Sequence, residues 1–206
     1  MDATFLARGL AVGFAIAAAV GPISLLTIRR TLAHGRVYGL ASGMGVALAD
    51  ASYGGMAAFG LTAITAVLVG ARAPLALVGG AFLLWLAIRM IGAPAPSREA
   101  EVRERPGLVG AFLSIYGLTM TNPLTIISFL GIFTGLGLAG GTGDEAALLT
   151  VGVFLGSASW WVLLTTIVGR MRHRLTPTVM LWINRGCGAA LFAFGLAAIR
   201  VAFGGL

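Results

Sequence analysis

The chain has 206 residues, of which 58% are hydrophobic and only 10% are charged, and its mean hydropathy is +0.97. A soluble globular domain has about 25% charged residues, so this composition excludes an ordinary soluble domain and indicates a membrane protein. The net charge is +7, but the basic residues are all arginines that stand at the ends of apolar runs, which argues against nucleic-acid binding.

Long apolar runs, separated by charged or glycine-rich stretches, predict an all-α polytopic protein with six transmembrane helices. We expect the first run to be a mature span rather than a signal peptide, because Asp2 opens the chain and the run exceeds a signal peptide's apolar core. The predicted spans cover residues 4–28, 37–70, 74–91, 107–139, 145–168 and 179–201.

Two helix-breaking dipeptides lie inside these runs, at Gly21-Pro22 in the first span and at Asn122-Pro123 in the fourth. Proline lacks a backbone donor and clashes with the preceding turn, so both spans are predicted to be interrupted. Within a bilayer, the freed backbone groups are tolerated only where protein or a water-filled cavity satisfies them. Interrupted spans at matching positions of two halves point to the binding site of a secondary transporter.

The arginines predict the orientation of the chain. Of the fourteen arginines, ten lie in or beside the loops after spans 1, 3 and 5, and three lie on the opposite side (Arg8, Arg72 and Arg200). The remaining one, Arg185, falls inside span 6 and does not count for either side. We therefore expect both termini outside and the arginine-rich loops in the cytoplasm. With three spans in each half, residues 1–92 and 107–206 then form two inverted three-helix repeats, joined by a cytoplasmic polar loop at residues 93–106.

Asp50 is the acidic residue placed deep in a predicted span. A carboxylate near the bilayer midplane costs about 2.5–3.5 kcal/mol on insertion scales, so such residues face the interior and often mark ion pathways. The pattern favours a proton-coupling group or an anchor for a substrate ammonium. A structural aspartate that pairs with an arginine or caps a broken helix is the alternative.

The predicted substrate site lies between the two breaks. Helix ends expose amides, which attract a carboxylate, and carbonyls, which suit an ammonium or a coupling cation. Trp161 lies about 15 residues into span 5, too deep for an interfacial belt, so it is predicted either to line the cavity or to pack in the core. A kink that only improves packing is the alternative. The predicted substrate-binding residues are Gly21, Pro22, Ser24, Thr121, Asn122, Pro123 and Trp161.

These motifs resemble the LysE/RhtB family of amino-acid exporters. The matching elements are Gly21-Pro22-Ile23-Ser24, Gly35, Gly39, Gly43, Asp50, Thr121-Asn122-Pro123, Gly152, Trp160-Trp161, Ile183-Asn184 and Gly186. The chain departs from the family pattern at Val20, where a proline is usual, and at Leu124, where a lysine is usual.

The resemblance implies secondary-active, proton-driven export of an amino acid or a similar small metabolite across a bacterial inner membrane, by alternating access. The expected partners are that substrate, protons and the lipid bilayer, with no cofactor and no bound metal. The glycine-rich faces also allow a homodimer.

Three other functions fit the sequence less well than export. A divalent-cation exporter usually needs several intramembrane carboxylates, histidines or cysteines, whereas Asp50 stands nearly alone. An enzyme is not expected, because Cys187 is the single cysteine and the spans contain no metal-spaced histidines or Ser/His/Asp constellation. A non-transporting membrane scaffold would not need paired breaks and a buried carboxyl. The presence or absence of a polar cavity that joins both breaks to Asp50 would distinguish these functions.

Overall fold

The computed structural model describes residues 3–19, 21–60, 67, 70–92, 107–122, 125–126, 128–129, 132–133, 138, 143–171 and 176–203. These residues form seven long helices and no β-strand. Numbered in chain order, the helices are α1 (Ala3–Ala18), α2 (Pro22–His34), α3 (Arg36–Ala58), α4 (Arg72–Ile91), α5 (Leu108–Met120), α6 (Gly143–Met171) and α7 (Pro177–Ala202). The all-α prediction is confirmed.

Each predicted segment overlaps a helix, and the first is divided into α1 and α2. The bounds differ in three places: α2 runs on to His34, α3 ends at Ala58 and α5 ends at Met120, whereas the predicted spans ended at 28, 70 and 139. By length and composition, stretches of α4, α6 and α7 can cross a bilayer, and α1 with α2 would make a fourth span if this bent pair is one segment. The apolar helix α5 is shorter, and α3 has 23 residues that include polar side chains. The protein is therefore a multi-pass membrane protein, while the count of six spans and the inverted repeat stay predictions. The predicted loop at 93–106 lies outside the described residues.

Polar side chains lie inside this bundle and large apolar side chains lie on its surface. The exposed apolar residues include Val78, Ile88, Val109, Ile167 and Trp182. The buried polar residues include Ser24, Thr27, Arg30, Thr31, Ser42, Asp50, Thr119, Ser157 and Thr165. Lipid tails accept apolar surface, whereas polar groups need partners within the bundle, so this distribution is what a bilayer selects.

Helices α1 and α6 cross closely through two pairs of glycines, each spaced four residues apart. On α1, a Cβ added at Gly9 or Gly13 would overlap the carbonyl of Leu149 or Val153. On α6, a Cβ at Gly152 or Gly156 would overlap backbone carbonyls of α1 in the same way. Small residues at this spacing let membrane helices approach to backbone contact. The glycines therefore set the distance between α1 and α6.

Helix α3 lies at the centre of the bundle, where it packs against α5, α6 and α2. Helix α6 packs against α1 and α3, and α4 pairs with α7. A single residue, Gly35, joins α2 to α3 at a φ of 97°, a backbone conformation that favours glycine. These contacts bring the ends of α1, α2 and α5 next to the middle of α3 and α6.

Candidate functional site

The first predicted break is present between α1 and α2. Helix α1 ends at Ala18, Gly21 caps α2 with an extended backbone, and Pro22 occupies the first turn of α2. The two helix axes are inclined at 77°. Proline suits a first turn because the amide it lacks would have no partner there. The amides of Ile23 and Ser24 follow it and have no intrahelical acceptor. The break therefore presents a helix N-terminus to the bundle interior.

The fourth predicted span is interrupted as well. Helix α5 ends at Met120, and helical residues occur again from Thr125 onward. The carbonyl of Asn122 accepts hydrogen bonds from the amides of Thr125 (3.1 Å) and Ile126 (3.3 Å), which begins the next helical turn. Pro123 itself lies outside the described residues. Thus the chain leaves the helix before Asn122 and resumes it after that residue.

The Tyr53 side chain of α3 contacts the chain on both sides of this second break. Its hydroxyl donates a 2.6 Å hydrogen bond to the carbonyl of Met120, the last residue of α5. Its ring stacks on Phe129, with 5.7 Å between the ring centroids. The last carbonyls of a helix have no intrahelical donor, so the tyrosine satisfies one that would otherwise be orphaned. Tyr53 therefore holds both sides of the break against α3.

Asp50 lies in the middle of α3 and is 1% exposed. The hydroxyl of Ser157 on α6 donates a 2.7 Å hydrogen bond to its Oδ2. A buried carboxyl is expected to have such a partner, because an unpaired polar group away from water is costly. The side chain thus joins the two central helices.

One cavity of about 90 Å³ connects both breaks with Asp50. It is lined by Ile16, Ala17, Ala19, Gly21, Pro22, Ile23, Ser24, Val46, Asp50, Thr119, Asn122, Thr125, Ser128 and Trp161. A single water needs about 10–15 Å³, so the cavity has room for several waters or for a small solute. Polar groups converge on it from α2, α3 and both sides of the second break, while its remaining wall is apolar. This combination is typical of small-molecule sites.

Trp161 lies on the α6 side of this cavity and is 1% exposed. Its ring packs so closely against Gly43 that a Cβ there would come within 2.5 Å of the Trp161 side chain. The indole Nε1 is buried and has no hydrogen-bond partner in the described part of the chain. An unpaired buried donor at a cavity wall is suited to a ligand acceptor.

The cavity brings together most of the predicted site residues: Gly21, Pro22, Ser24, Asp50, Asn122 and Trp161. Thr121 lies elsewhere, since its hydroxyl bonds back to the carbonyls of Gly117 and Leu118 and faces Gly79 of α4. A hydroxyl can return to its own helix in this way at little cost, which the sequence pattern does not distinguish from a ligand contact.

Ser157 and Tyr53 were not among the predicted site residues. A signal for Ser157 is present in the sequence, because Ser157 and Trp161 are four residues apart and so share one face of α6. Tyr53 has the same kind of signal, since it follows Asp50 by three residues on α3. Within the described residues, no group of three or more His, Cys, Asp or Glu side chains is placed to hold a metal ion.

The chain has relatives among known proteins. It is similar to the uncharacterized membrane protein YahN of Escherichia coli (strain K12), with 33% identity over 144 residues. The match covers 68% of this chain and 64% of that protein, so it spans less than two thirds of the relative's length. No solved structure matches the chain.

A family model described as LysE type translocator matches residues 14–201, which include both breaks, Asp50 and every other residue that lines the cavity. The match covers most of the chain and agrees with the resemblance that the sequence motifs indicated. The chain therefore belongs to the LysE type translocator family.

Proposed function

We propose that this protein is a secondary-active exporter that moves a small amino acid or a similar metabolite out of the cell in exchange for protons. The observation that carries the proposal is the cavity that joins the two helix breaks to Asp50. Membership of a translocator family supports transport as the activity. The amino-acid substrate, the coupling to protons and the direction are our inference.

A substrate carboxylate fits the side of the cavity formed by the start of α2. The amides of Ile23 and Ser24 face no intrahelical acceptor, and a helix N-terminus carries a partial positive charge. The unpaired Nε1 of Trp161 adds a second kind of donor at the same cavity. These donors together would replace water around a carboxylate.

Asp50 suits the opposite end of an amino acid. Its carboxylate would pair with the substrate ammonium, and the Ser157 hydroxyl would hold it in place. A proton neutralises the same carboxylate, so proton and ammonium compete for one group. Competition of this kind couples the two species: the substrate leaves when a proton takes its place. No additional ion site is needed for exchange.

The size and apolar wall of the cavity favour a small side chain. Its volume is about 90 Å³, and its apolar lining includes Ile16, Ala17, Ile23 and Val46. For comparison, an engineered cavity of about 150 Å³ in another protein binds benzene. We therefore propose a small neutral amino acid as the substrate in this conformation.

The helix contacts support two inverted repeats and alternating access. In each half the first span holds α1 or α5, the second is α3 or α6, and the third is α4 or α7. If the two halves are equivalent, the contact of α1 with α6 corresponds to the contact of α5 with α3. The same equivalence leaves the α3–α6 and α4–α7 contacts unchanged. All four contacts are present among the described helices. Rocking of one repeat against the other around the cavity would then open it to each side in turn.

We further propose that the protein lies in a bacterial inner membrane, with the arginine-rich loops in the cytoplasm and both termini outside. The arginine distribution supports this orientation. A homodimer is compatible with the glycine-rich helix faces.

The function is tested in proteoliposomes loaded with radiolabelled amino acids, with and without an imposed proton gradient. The wild type is compared with Asp50→Asn and with Asp144→Asn, the same change at an exposed position in the first turn of α6. We expect gradient-driven efflux of a small amino acid in the wild type and in Asp144→Asn. We expect Asp50→Asn to lose the response to the gradient.

Two outcomes would contradict the proposal. If Asp50→Asn stays gradient-driven, the carboxyl is structural and protons act elsewhere. If no amino acid moves although the purified protein is folded, the substrate class is wrong.

A further inference from the structure

The buried arginine of α2 has only neutral partners in the described part of the chain. Arg30 is 9% exposed. Its Nη1 donates to the Ser42 hydroxyl of α3 (3.0 Å) and to the Ala111 carbonyl of α5 (2.9 Å). Its Nη2 donates to the Ser114 hydroxyl of α5 (2.9 Å). The guanidinium therefore ties α2 to α3 and α5, while its charge lacks a carboxylate counter-ion among the described residues.

A buried charge of this kind needs an explanation. An ion that is removed from water and lacks an opposite charge is expensive, and charged residues inside membrane bundles mark substrate or ion pathways. Arg36, by contrast, is exposed at the start of α3. A tie between three helices could be made by neutral side chains alone, so the charge points to an anionic ligand.

A row of hydroxyls leads from the cavity towards Arg30. Ser24, Thr27 and Thr31 recur every three or four residues, share one face of α2 and are all buried. The Ser24 hydroxyl donates to the Ala19 carbonyl (3.3 Å) and the Thr31 hydroxyl to the Thr27 carbonyl (2.8 Å). The Thr27 hydroxyl is buried and has no partner in the described part of the chain. Arg30 follows Thr27 by three residues and lies about 9 Å along the helix from Ser24. A polar face that continues from the cavity to a buried cation is what a path for an anion requires.

An apolar layer closes this path in the present conformation. Leu26, Val46, Ile115, Leu118 and Trp161 belong to one buried cluster between the cavity and the level of Arg30. Since Arg30 holds α2 against α3 and α5, its hydrogen bonds keep this layer packed. For the cavity to open towards Arg30, the guanidinium has to give up its hydrogen bonds to α3 and α5 and form others.

We propose that Arg30 is a binding site for the carboxylate of the incoming substrate, and that this carboxylate replaces Ser42, Ser114 and the Ala111 carbonyl as partner of the guanidinium. The guanidinium fork fits a carboxylate bidentately, and the carboxylate supplies the opposite charge that the neutral partners of Arg30 lack. The exchange frees α2 from α3 and α5 and opens the apolar layer. The inference rests on the proposed export of a carboxylate-bearing substrate.

The test measures the accessibility of Thr27 in the full chain in lipid nanodiscs. Cys187, the single cysteine, is replaced by alanine, and Thr27→Cys becomes the only thiol. The rate of reaction with a water-soluble thiol reagent is measured in the presence of glycine, alanine or serine. Each is compared with a separate measurement that uses the corresponding amide, which lacks the carboxylate. We expect at least one acid to speed the reaction about tenfold, as expected if a minor open state becomes dominant, and its amide to have no effect.

The Arg30 variants separate binding from structure. Arg30→Met should react fast without any acid and gain nothing from one, whereas Arg30→Lys should keep part of the response. Arg36→Met removes the same charge from the exposed neighbour and should behave like the parent. If Arg30→Met fails to fold, Ser42→Ala with Ser114→Ala removes two neutral partners and keeps the charge. This double variant should react faster and keep its response to the acid.

The proposal is overturned if no acid differs from its amide, or if Arg30→Met behaves like Arg36→Met. Gradient-driven efflux without a carboxylate response leaves the exporter in place and removes the role of Arg30. If an acid changes the labelling rate of Thr27→Cys but no amino acid is exported, the exporter proposal is contradicted while the carboxylate site at Arg30 stands.

Discussion

Ser157 on α6 donates a 2.7 Å hydrogen bond to Asp50 on α3, at the wall of the cavity that joins the two helix breaks. The two residues are 107 positions apart in the chain. The hydroxyl gives the buried carboxyl a fixed position relative to α6. The same contact therefore links the central helix pair to the group that we propose to exchange an ammonium for a proton.

Replacement of Ser157 by alanine tests the positioning of Asp50. A hydrogen bond to a charged group contributes about 1.5–3 kcal/mol, so its loss should raise the half-saturating substrate concentration by at least about tenfold. The dependence on the gradient should remain, because the carboxyl itself is present. Ser159→Ala is the control, since that hydroxyl bonds only to the carbonyl of Gly156 on its own helix. The measurement is the half-saturating substrate concentration in proteoliposomes of known orientation. If Ser157→Ala and Ser159→Ala change it equally, Ser157 does not position Asp50.

Trp161→Phe tests the indole donor at the cavity. The substitution keeps an aromatic ring against Gly43 and removes the unpaired Nε1. One hydrogen bond to a carboxylate is worth about 1.5–3 kcal/mol, so substrate affinity should fall by about tenfold or more. Trp160→Phe is the matched control, because Trp160 packs edge-on against Phe14 and does not line the cavity. Isothermal titration with the transported amino acid measures both, and unchanged affinity in Trp161→Phe contradicts a ligand contact.

Ile16→Ala tests the limit on substrate size. Ile16 lines the cavity, and its truncation to alanine removes three carbon atoms from the wall, which makes room for three methylene equivalents of a larger substrate. Each buried methylene contributes about 0.8 kcal/mol. Three equivalents amount to about 2.4 kcal/mol, so leucine or methionine should compete with the small substrate at up to about fiftyfold lower concentration than in the wild type. Val12→Ala shortens a buried α1 residue outside the cavity and should leave the selectivity unchanged. The idea fails if both variants keep the wild-type order of amino acids in competition assays.

Gly13→Ala should lower the stability of the protein, whereas Gly117→Ala should not. A Cβ at Gly13 overlaps the backbone of Val153, and forced overpacking costs about 1–3 kcal/mol. A Cβ at Gly117 meets no atom within 4 Å in the described structure, and alanine favours a helix over glycine by about 1 kcal/mol. Thermal unfolding in detergent should show a lower Tm for Gly13→Ala and an unchanged or higher one for Gly117→Ala. A stable Gly13→Ala would mean that α1 and α6 are farther apart than the structure has them.

The two helix breaks were predictable because their cause is local. The break at Gly21-Pro22 follows from the geometry of proline, which no tertiary contact is needed to explain. The membrane character likewise follows from the apolar composition, and the importance of Asp50 follows from the cost of a carboxyl in a bilayer. The family was recognisable for the same reason, since its motifs are these local features in a fixed order.

Other parts of the site could not be read from local features. Thr121 and Ser24 look alike in sequence, and both hydroxyls donate to backbone carbonyls, those of Gly117 and Ala19, yet Ser24 lines the cavity and Thr121 does not. Arg30 was assigned only to an arginine-rich loop, whereas the structure buries it between three helices. In both cases the outcome depends on which way a helix faces its neighbours.

The sequence by itself determined the class of the protein, its family, the place where the first helix is interrupted and the buried carboxyl, because each of these follows from the chemistry of one or a few adjacent residues. Only the tertiary structure decided that Ser157 meets Asp50, that one cavity joins the two breaks and that Arg30 has neutral partners. Those relationships depend on helix packing between residues far apart in the chain, where side-chain direction and backbone approach are set by all neighbours together.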